Sequence, residues 1–445
     1  MKTPMPPPDF DELLSRALKD TSQIARVLRR ESGSVSSEPY LPWDELRYRQ
    51  PPDGLSHEEW WLSTKMARNA ILRKTPLLDR EGKPFHYALP DQVLSCIEEV
   101  VRHTSGSIGA TELVTNAASR DRYVVNSLIE EAITSSQLEG ASTSRKVAKE
   151  MLRSGRKAHD RSEQMILNNY RAMRRVGEMR NERITPELVL ELHRIVTEGT
   201  LDDPSAAGRL QRPDEVRVAV WAEDGELLHR PPDAKELPER LERLCAFANS
   251  DLDTGYLPPV LRAITLHFMF GYDHYFEDGN GRTARAIFYW SMLNRGFWLA
   301  EFLTISKILK TAPSQYARSF LYTEQDENDL TYFFNYHLDV VMRAVRDLHS
   351  YLARKTAELR QLQTKLIGSN REFNHRQLAL LQHALRDPSA LFTMSSHARA
   401  HSSSLETARQ DLLDLVGKDL LLRRRSGREF QFLPVKDIAQ RLGAE

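Results

Sequence analysis

Apolar residues recur at helical spacing along most of this chain. Val93, Leu94, Ile97 and Val100 set one apolar face on a helix over residues 91–103. The same reading predicts helices over residues 60–72, 123–138, 162–179, 185–200 and 235–249. Thr185 stands as a cap with Pro186 in the first turn behind it, where the N–H that proline lacks has no helical acceptor. Pro258 and Pro259 open a further helix that ends near His274, and another begins near Asn280. A long amphipathic helix runs from Leu330 to about Lys365.

The period changes in two places. Over residues 215–221, Val216, Val218 and Val220 alternate with Arg217 and Ala219; Asp224-Gly225 then supplies a turn and residues 226–229 return, which predicts a hairpin. Pro231 and Pro232 stop it, since neither can donate to a ladder. Residues 32–54, punctuated by Pro39, Pro42, Pro51 and Pro52, read as an extended segment pinned by Trp43 and Tyr48. Gly368-Ser369-Asn370 marks a linker. Beyond it, residues 376–385, 394–401 and 403–415 read as short helices, and residues 420–425 and 429–433 as a hairpin around Ser426-Gly427. Three helices and a hairpin resemble a winged-helix domain.

A chain of 445 residues suggests two or three domains. Its 62 basic and 62 acidic residues cancel, so no global electrostatic case for nucleic acid or membrane follows. Cys96 and Cys245 stand far apart without metal-ligand spacing and read as buried thiols in a reducing compartment. Residues 1–10 are proline-rich without the apolar core of a signal peptide, and no apolar run approaches the roughly 20 residues of a membrane helix. The expectation is a cytoplasmic protein with no membrane partner.

The densest chemistry lies between the helices that meet near residue 280. His274-Tyr275-Phe276-Glu277-Asp278-Gly279-Asn280-Gly281-Arg282-Thr283-Ala284-Arg285 carries a base, a carboxylate, two glycines and two arginines in twelve residues. Histidine accepts a proton near neutral pH. Mg²⁺ prefers one or two carboxylates with phosphate oxygens, which suits Asp278. Gly279 and Gly281 let the backbone turn and approach an anion. A helix starting at Asn280 points free N–H groups at that anion, and Arg282 and Arg285 share one face behind them. Singly, a histidine at a helix end is more simply structural and such arginines are more simply solvated. The coincidence along the whole run outweighs that reading. His267, seven residues before His274, lacks a third ligand nearby and reads as a packing or hydrogen-bonding residue.

The run fills every fixed position of the pattern His-x-Phe-x-Asp/Glu-Gly-Asn-Gly-Arg-x-x-Arg and so resembles the Fic family, with Tyr275 where a proline is common. The resemblance implies transfer of AMP from ATP to a Ser, Thr or Tyr hydroxyl of a protein, itself included. It implies His274 as general base, Asp278 on Mg²⁺, Arg282 on the nucleotide phosphates and Arg285 on the γ-phosphate. It places Gly279, Asn280 and Gly281 around the phosphates, with Asn280 near the α-phosphate. Phe276 reads as a core anchor.

Ser135-Ser136-Gln137-Leu138-Glu139-Gly140 resembles the inhibitory motif Ser/Thr-x-x-x-Glu-Gly/Asn of the same family. The likeness implies that Glu139 pairs with Arg285, bidentate as arginine prefers, and so bars the γ-phosphate. The hairpin over residues 215–229 resembles the family's flap, which can hold a target segment as an added strand; its pattern alone reads equally as a small structural hairpin.

The expected fold is mainly α: an N-terminal helical extension (1–105), a Fic core with its inhibitory helix (106–331), a helical linker (332–370) and a winged-helix-like domain (371–445). Arg423, Arg424, Arg425 and Arg428 on the wing would suit DNA phosphates and equally a solvated or protein-binding wing, and Glu406, Asp411 and Asp414 oppose Arg409 on the recognition helix. A DNA-binding regulator whose core senses nucleotide therefore stands second, with removal of AMP by the same site a further alternative. A helical surface could also support a homodimer.

Overall fold

The helix over residues 259–273 is buried on every side, and its neighbour over residues 280–294 is buried along nearly all its length, Arg282 and Arg285 included. They pack along each other, and the helices over residues 161–178 and 186–197 cover the second of the pair. The computed structural model describes residues 3–29, 38–52, 54–105, 117–222, 225–252, 255–368, 373–401, 403–426 and 429–442. It is mainly α, with three two-stranded antiparallel ladders among the described residues. The chain divides into two compact units, Met1–Leu348 and His349–Glu445.

In the first unit the helices α1 (Phe10–Leu18), α2 (Thr21–Arg29), α3 (Trp43–Leu46) and α4 (His57–Asn69) enclose a cluster around Trp43 and Trp61. A capping box, Ser56 with Glu59, starts α4 three residues earlier than the apolar period suggests. Trp43 is buried, but Tyr48 is exposed and pins nothing. A hairpin that the alternation pattern does not announce follows, β1 (Arg73–Leu78) with β2 (Pro84–Tyr87). Next come α5 (Asp91–Thr104), α6 (Ala117–Leu138), α7 (Arg145–Ser154), α8 (Arg161–Glu178) and α9 (Pro186–Thr197). The expected start of the Fic core at residue 106 lies outside the described residues. Gly140 takes φ +90° just after α6, as its place at a helix end demands.

The strands β3 (Val220–Trp221) and β4 (Leu227–His229) are all that forms of the hairpin expected over residues 215–229. Val216 is 91% exposed, and Arg217 is drawn inward to main-chain oxygens, so the alternation there does not mark a ladder. Asp224 of the predicted turn lies outside the described residues. The helices α10 (Leu237–Ala248), α11 (Pro259–Asp273) and α12 (Asn280–Asn294) follow, then α13 (Ile305–Thr311), α14 (Pro313–Gln325) and α15 (Thr331–Gly368). α11 packs along α12; α8 and α9 cover α12, and α6 packs on α8 and α13. Ile129, Ala132 and Ile133 of α6 close a cluster with Met165 and Ile166 of α8.

The second unit has its own core. The helices α16 (His375–Arg386), α17 (Met394–Ala400) and α18 (Leu405–Gly417) and the hairpin β5 (Leu421–Ser426) with β6 (Glu429–Pro434) bury Leu380, Leu381, Leu412, Leu415 and Phe432. A last turn, α19 (Ile438–Arg441), packs Ile438 on them. Asp411, expected on the surface of α18, is buried and accepts from Asn374, Arg376 and His397. Ser369, Asn370, Gly427 and Arg428 lie outside the described residues. Among those described, no helix is long and apolar enough to cross a membrane.

Candidate active site

The link between α11 and α12 is built to hold its own backbone. Asn280 accepts from Phe276 N at 3.0 Å and donates to Phe276 O at 2.7 Å, closing residues 276–280 into a tight loop. Phe276 is fully buried and stacks on His193 of α9, ring centroids 3.7 Å apart. Gly279 takes φ +82°, and a Cβ there would meet Thr197 Cγ2 at 2.7 Å, so the loop lies directly on α9. The first-turn N–H groups of α12 have no helical acceptors and carry the positive end of the helix dipole, an arrangement that binds anions.

His274 is the residue after α11 and takes a left-handed φ of 46°. Burial pushes its pKa down to about 4, with His229 and Arg217 nearby adding to the effect, so the imidazole is neutral at pH 7. Its Nδ1 is buried without a hydrogen bond of ordinary geometry. Asp278 is half-exposed; Oδ1 accepts from Gly279 N at 2.6 Å and Oδ2 lies 3.4 Å from Arg282. Its remaining lone pairs suit a cation that takes one carboxylate and completes its shell with phosphate oxygens and water, as Mg²⁺ does. Among the described residues no group of three or more His, Cys, Asp or Glu side chains is placed to hold a metal.

The two arginines of the loop differ. Arg282 is fully buried and donates to Val196 O at 2.7 Å, with Asp278 its carboxylate neighbour. Arg285 donates from Nε to Ser135 Oγ at 2.8 Å and from one terminal nitrogen to Ser135 O at 3.0 Å and Glu139 Oε1 at 2.8 Å. Burial opposes its charge most strongly, but Glu139 with Tyr316 and Glu131 together offset that, and its pKa is raised. A Cβ on Gly281 would lie 2.2 Å from Glu139 Oε1. The Glu139 carboxylate therefore rests against the first turn of α12, where an anion would sit.

Residues 183–292 match the model of the Fic/DOC family. The chain carries a Fic/DOC domain. A Fic family protein from Desulfovibrio desulfuricans shares its fold, with a TM-score of 0.51 at 17% identity over 78% of this chain and 96% of that one. Fic-1 from C. elegans follows at 0.47 and 19% identity, over 70% of this chain and 79% of that one. A Fic domain containing signaling protein from Bacteroides thetaiotaomicron gives 0.43 at 18%, over 57% and 95%. The likeness to the Desulfovibrio protein is one of fold.

Within the Fic/DOC domain the loop residues named from sequence gather at one place, with two differences. The carboxamide of Asn280 is engaged by Phe276, so the group this residue leaves for an anion is its backbone N–H rather than its side chain. The pair of Arg285 with Glu139 is made through one oxygen, not two, and Ser135 takes Nε and shares the terminal nitrogen that Glu139 meets. His267 donates or accepts at Tyr316 OH at 2.9 Å and stays a packing residue.

Three functional positions escape sequence reasoning. His193 Nδ1 accepts from Gly208 N at 3.0 Å, so Nε2 carries the proton and donates to Asp278 O at 2.9 Å. Burial holds its pKa near about 4 and keeps it in that neutral form. His229 of β4 lies 6.0 Å from His274, ring centroid to centroid, between Glu324 and Tyr272 O. Burial opposes its charge, but Glu324, Tyr272 O and Asp273 together outweigh burial, and its pKa is raised. Arg217 reaches the carbonyls of Asp273 and His274. No local motif flags them, since each acts through contacts distant in sequence. Of the two cysteines, Cys245 is buried, its thiol pKa pushed up to about 12, while Cys96 is only half-buried.

Proposed function

We propose that this protein is an auto-inhibited protein adenylyltransferase. It transfers AMP from ATP to a hydroxyl of a protein, its own chain included. The observation that carries the reading is the Glu139 carboxylate, 2.8 Å from Arg285 and against Gly281 at the head of α12. Fic/DOC domains generally move phosphate-containing groups onto proteins, and the loop has the parts that such a transfer needs. The incoming hydroxyl oxygen forms its bond to the α-phosphorus as the bond to the bridging oxygen of the β-phosphate breaks, and pyrophosphate leaves. The hydroxyl proton passes to His274, which is neutral at pH 7 and able to take it. N–H groups of Asn280 and Gly281 and the guanidinium of Arg282 face the charge that builds on the phosphate oxygens. Mg²⁺ held by Asp278 would neutralise part of that charge. With Glu139 in place, Arg285 is not free for the γ-phosphate, and ATP settles out of line for attack.

Intact-mass measurement of the purified protein with Mg·ATP tests the reading. A gain of one AMP, absent from His274→Ala, is expected. No gain in the wild type, in Glu139→Gly or on any added protein would refute it. The second unit, with three helices leading into a two-stranded wing, is read as a winged-helix domain. Its wing residues Arg423, Arg424 and Arg425 are exposed, but burial of Asp411 does not turn α18 into a basic surface. A DNA-binding role therefore stays second.

A further inference from the structure

Four successive carbonyls around His274 accept hydrogen bonds from one stretch of chain. His229 Nε2 meets Tyr272 O at 2.7 Å. Arg217 meets Asp273 O at 2.5 Å and His274 O at 2.8 Å. Gln211 N meets Tyr275 O at 2.9 Å. The first three are carbonyls that a helix end leaves without partners, and all four donors come from residues 211–229.

The base needs this support for two reasons. His274 holds a left-handed φ of 46°, which a residue with a Cβ keeps only when its surroundings impose it. Its Nδ1 makes no hydrogen bond of ordinary geometry. A histidine base is commonly oriented by an acceptor on its second nitrogen; the Gly271 carbonyl lies near enough to favour a proton on this ring but completes no such bond. The ring therefore inherits its direction from its main chain.

Arg217 and His229 are suited to fix that main chain. Arg217 also donates to Pro232 O at 2.8 Å and Gln211 Oε1 at 2.5 Å, so its planar fork is held on neutral oxygens on several sides. His229 is clamped from behind by Glu324 of α14 at 2.7 Å, which leaves both ring nitrogens facing oxygen acceptors.

We infer that Arg217 and His229 are positioning residues that hold His274 in its left-handed conformation, so that the segment bearing the β3–β4 hairpin sets the aim of the base. The effect on rate rests on the transferase reading; the effect on conformation does not.

The test uses the full chain in a Glu139→Gly background. Initial rates of self-labelling with Mg·ATP are measured against ATP concentration. Arg217→Ala should lower kcat by about ten- to a hundredfold, the scale of a small misplacement of a reacting group. KM for ATP should stay within about twofold, since the phosphate loop keeps its own bonds. Arg217→Lys, which keeps the charge but cannot span two carbonyls, should fall between; it also serves if the alanine variant does not fold. His229→Gln, which still has a donor for Tyr272 O, should exceed His229→Ala.

A second readout needs no turnover. In nucleotide-free protein carrying ¹³Cε1-histidine, the His274 signal, assigned through His274→Ala, should shift or broaden in Arg217→Lys while that of His193 stays in place. The inference is overturned if kcat is unchanged in Arg217→Ala, if KM carries the whole loss, or if the His274 signal does not move. If the Glu139→Gly parent itself transfers no AMP, the transferase reading has failed, and the spectrum alone decides the positioning role.

Discussion

Replacing Glu139 with glycine should raise activity, the reverse of what most changes in an active site do. The carboxylate makes one bond of 2.8 Å to Arg285, and the guanidinium is almost fully buried while the carboxylate is only partly so. A charge-assisted hydrogen bond of that kind contributes roughly 1.5–3 kcal/mol. At 1.4 kcal/mol per factor of ten, its removal favours productive ATP by about ten- to a hundredfold. Both Ser135 bonds to Arg285 survive the change, so the arginine stays aimed at the head of α12. The assay is the rate of AMP gain by intact mass, on the protein itself and on candidate targets. Arg285→Ala should erase the gain, because the freed guanidinium is its proposed cause. A folded Glu139→Gly protein no more active than wild type, toward any hydroxyl, would refute the reasoning. A loss of AMP removal in that variant would instead make Glu139 a catalytic group of the reverse reaction.

Asp278→Ala should abolish Mg²⁺-dependent transfer, whereas Glu277→Ala, whose side chain is exposed and outside the loop's bonds, should keep most of it; the opposite ranking in a Mg²⁺ titration would move the metal site. Gly279→Ala should destabilise the protein by roughly 1–3 kcal/mol, from a positive φ and contact with Thr197, and should reduce activity with it; an unchanged urea midpoint would show that the loop gives way easily. His193, held near about 4 when folded, binds fewer protons than the unfolded chain between pH 6.5 and 4. Its contribution is therefore present above about pH 6.5 and is lost as pH falls through that window, on the order of 2 kcal/mol by pH 5. Urea midpoints at pH 7 and 5 should accordingly differ less in His193→Gln than in wild type. A chain ending at Gly368 should still bind ATP, since no residue of the site lies in the second unit; a folded truncation without ATP binding would contradict that.

The twelve residues from His274 to Arg285 were legible because a phosphate loop demands its chemistry in a contiguous run. Glycines, helix N-terminus and arginines must follow one another at fixed steps. Most helices were legible for a similar local reason, the recurrence of apolar faces, and α5 ends within a residue of expectation. What failed to show was non-local. The strand β1 reads Arg-Lys-Thr-Pro-Leu-Leu, with a proline and no alternation, and it is held by its partner β2 rather than by its pattern. Residues 215–219 alternate correctly for a strand yet do not pair, because Arg217 finds better acceptors at the end of α11. His193 sits in an ordinary amphipathic helix, and only the fold brings the Phe276 ring onto it.

How the proposed inhibition could be relieved follows from where its parts are anchored. Departure of α6 as a whole would expose Ile129 and Ile133, each worth roughly 1.5–3 kcal/mol when fully buried. It would also break the bonds of the buried Glu131 carboxylate to Ser306 N and Oγ and of Ser136 Oγ to Met165 O. Glu139, by contrast, follows the last residue of α6, next to the left-handed turn at Gly140, and its side chain is partly exposed. Swinging that side chain away costs one hydrogen bond and leaves the helix in place. The second route is cheaper by several kcal/mol. A physiological activator therefore needs only to compete for one carboxylate or shift one turn, and Ser135, bound to Arg285 through both Oγ and O, would keep the arginine aligned while it does so.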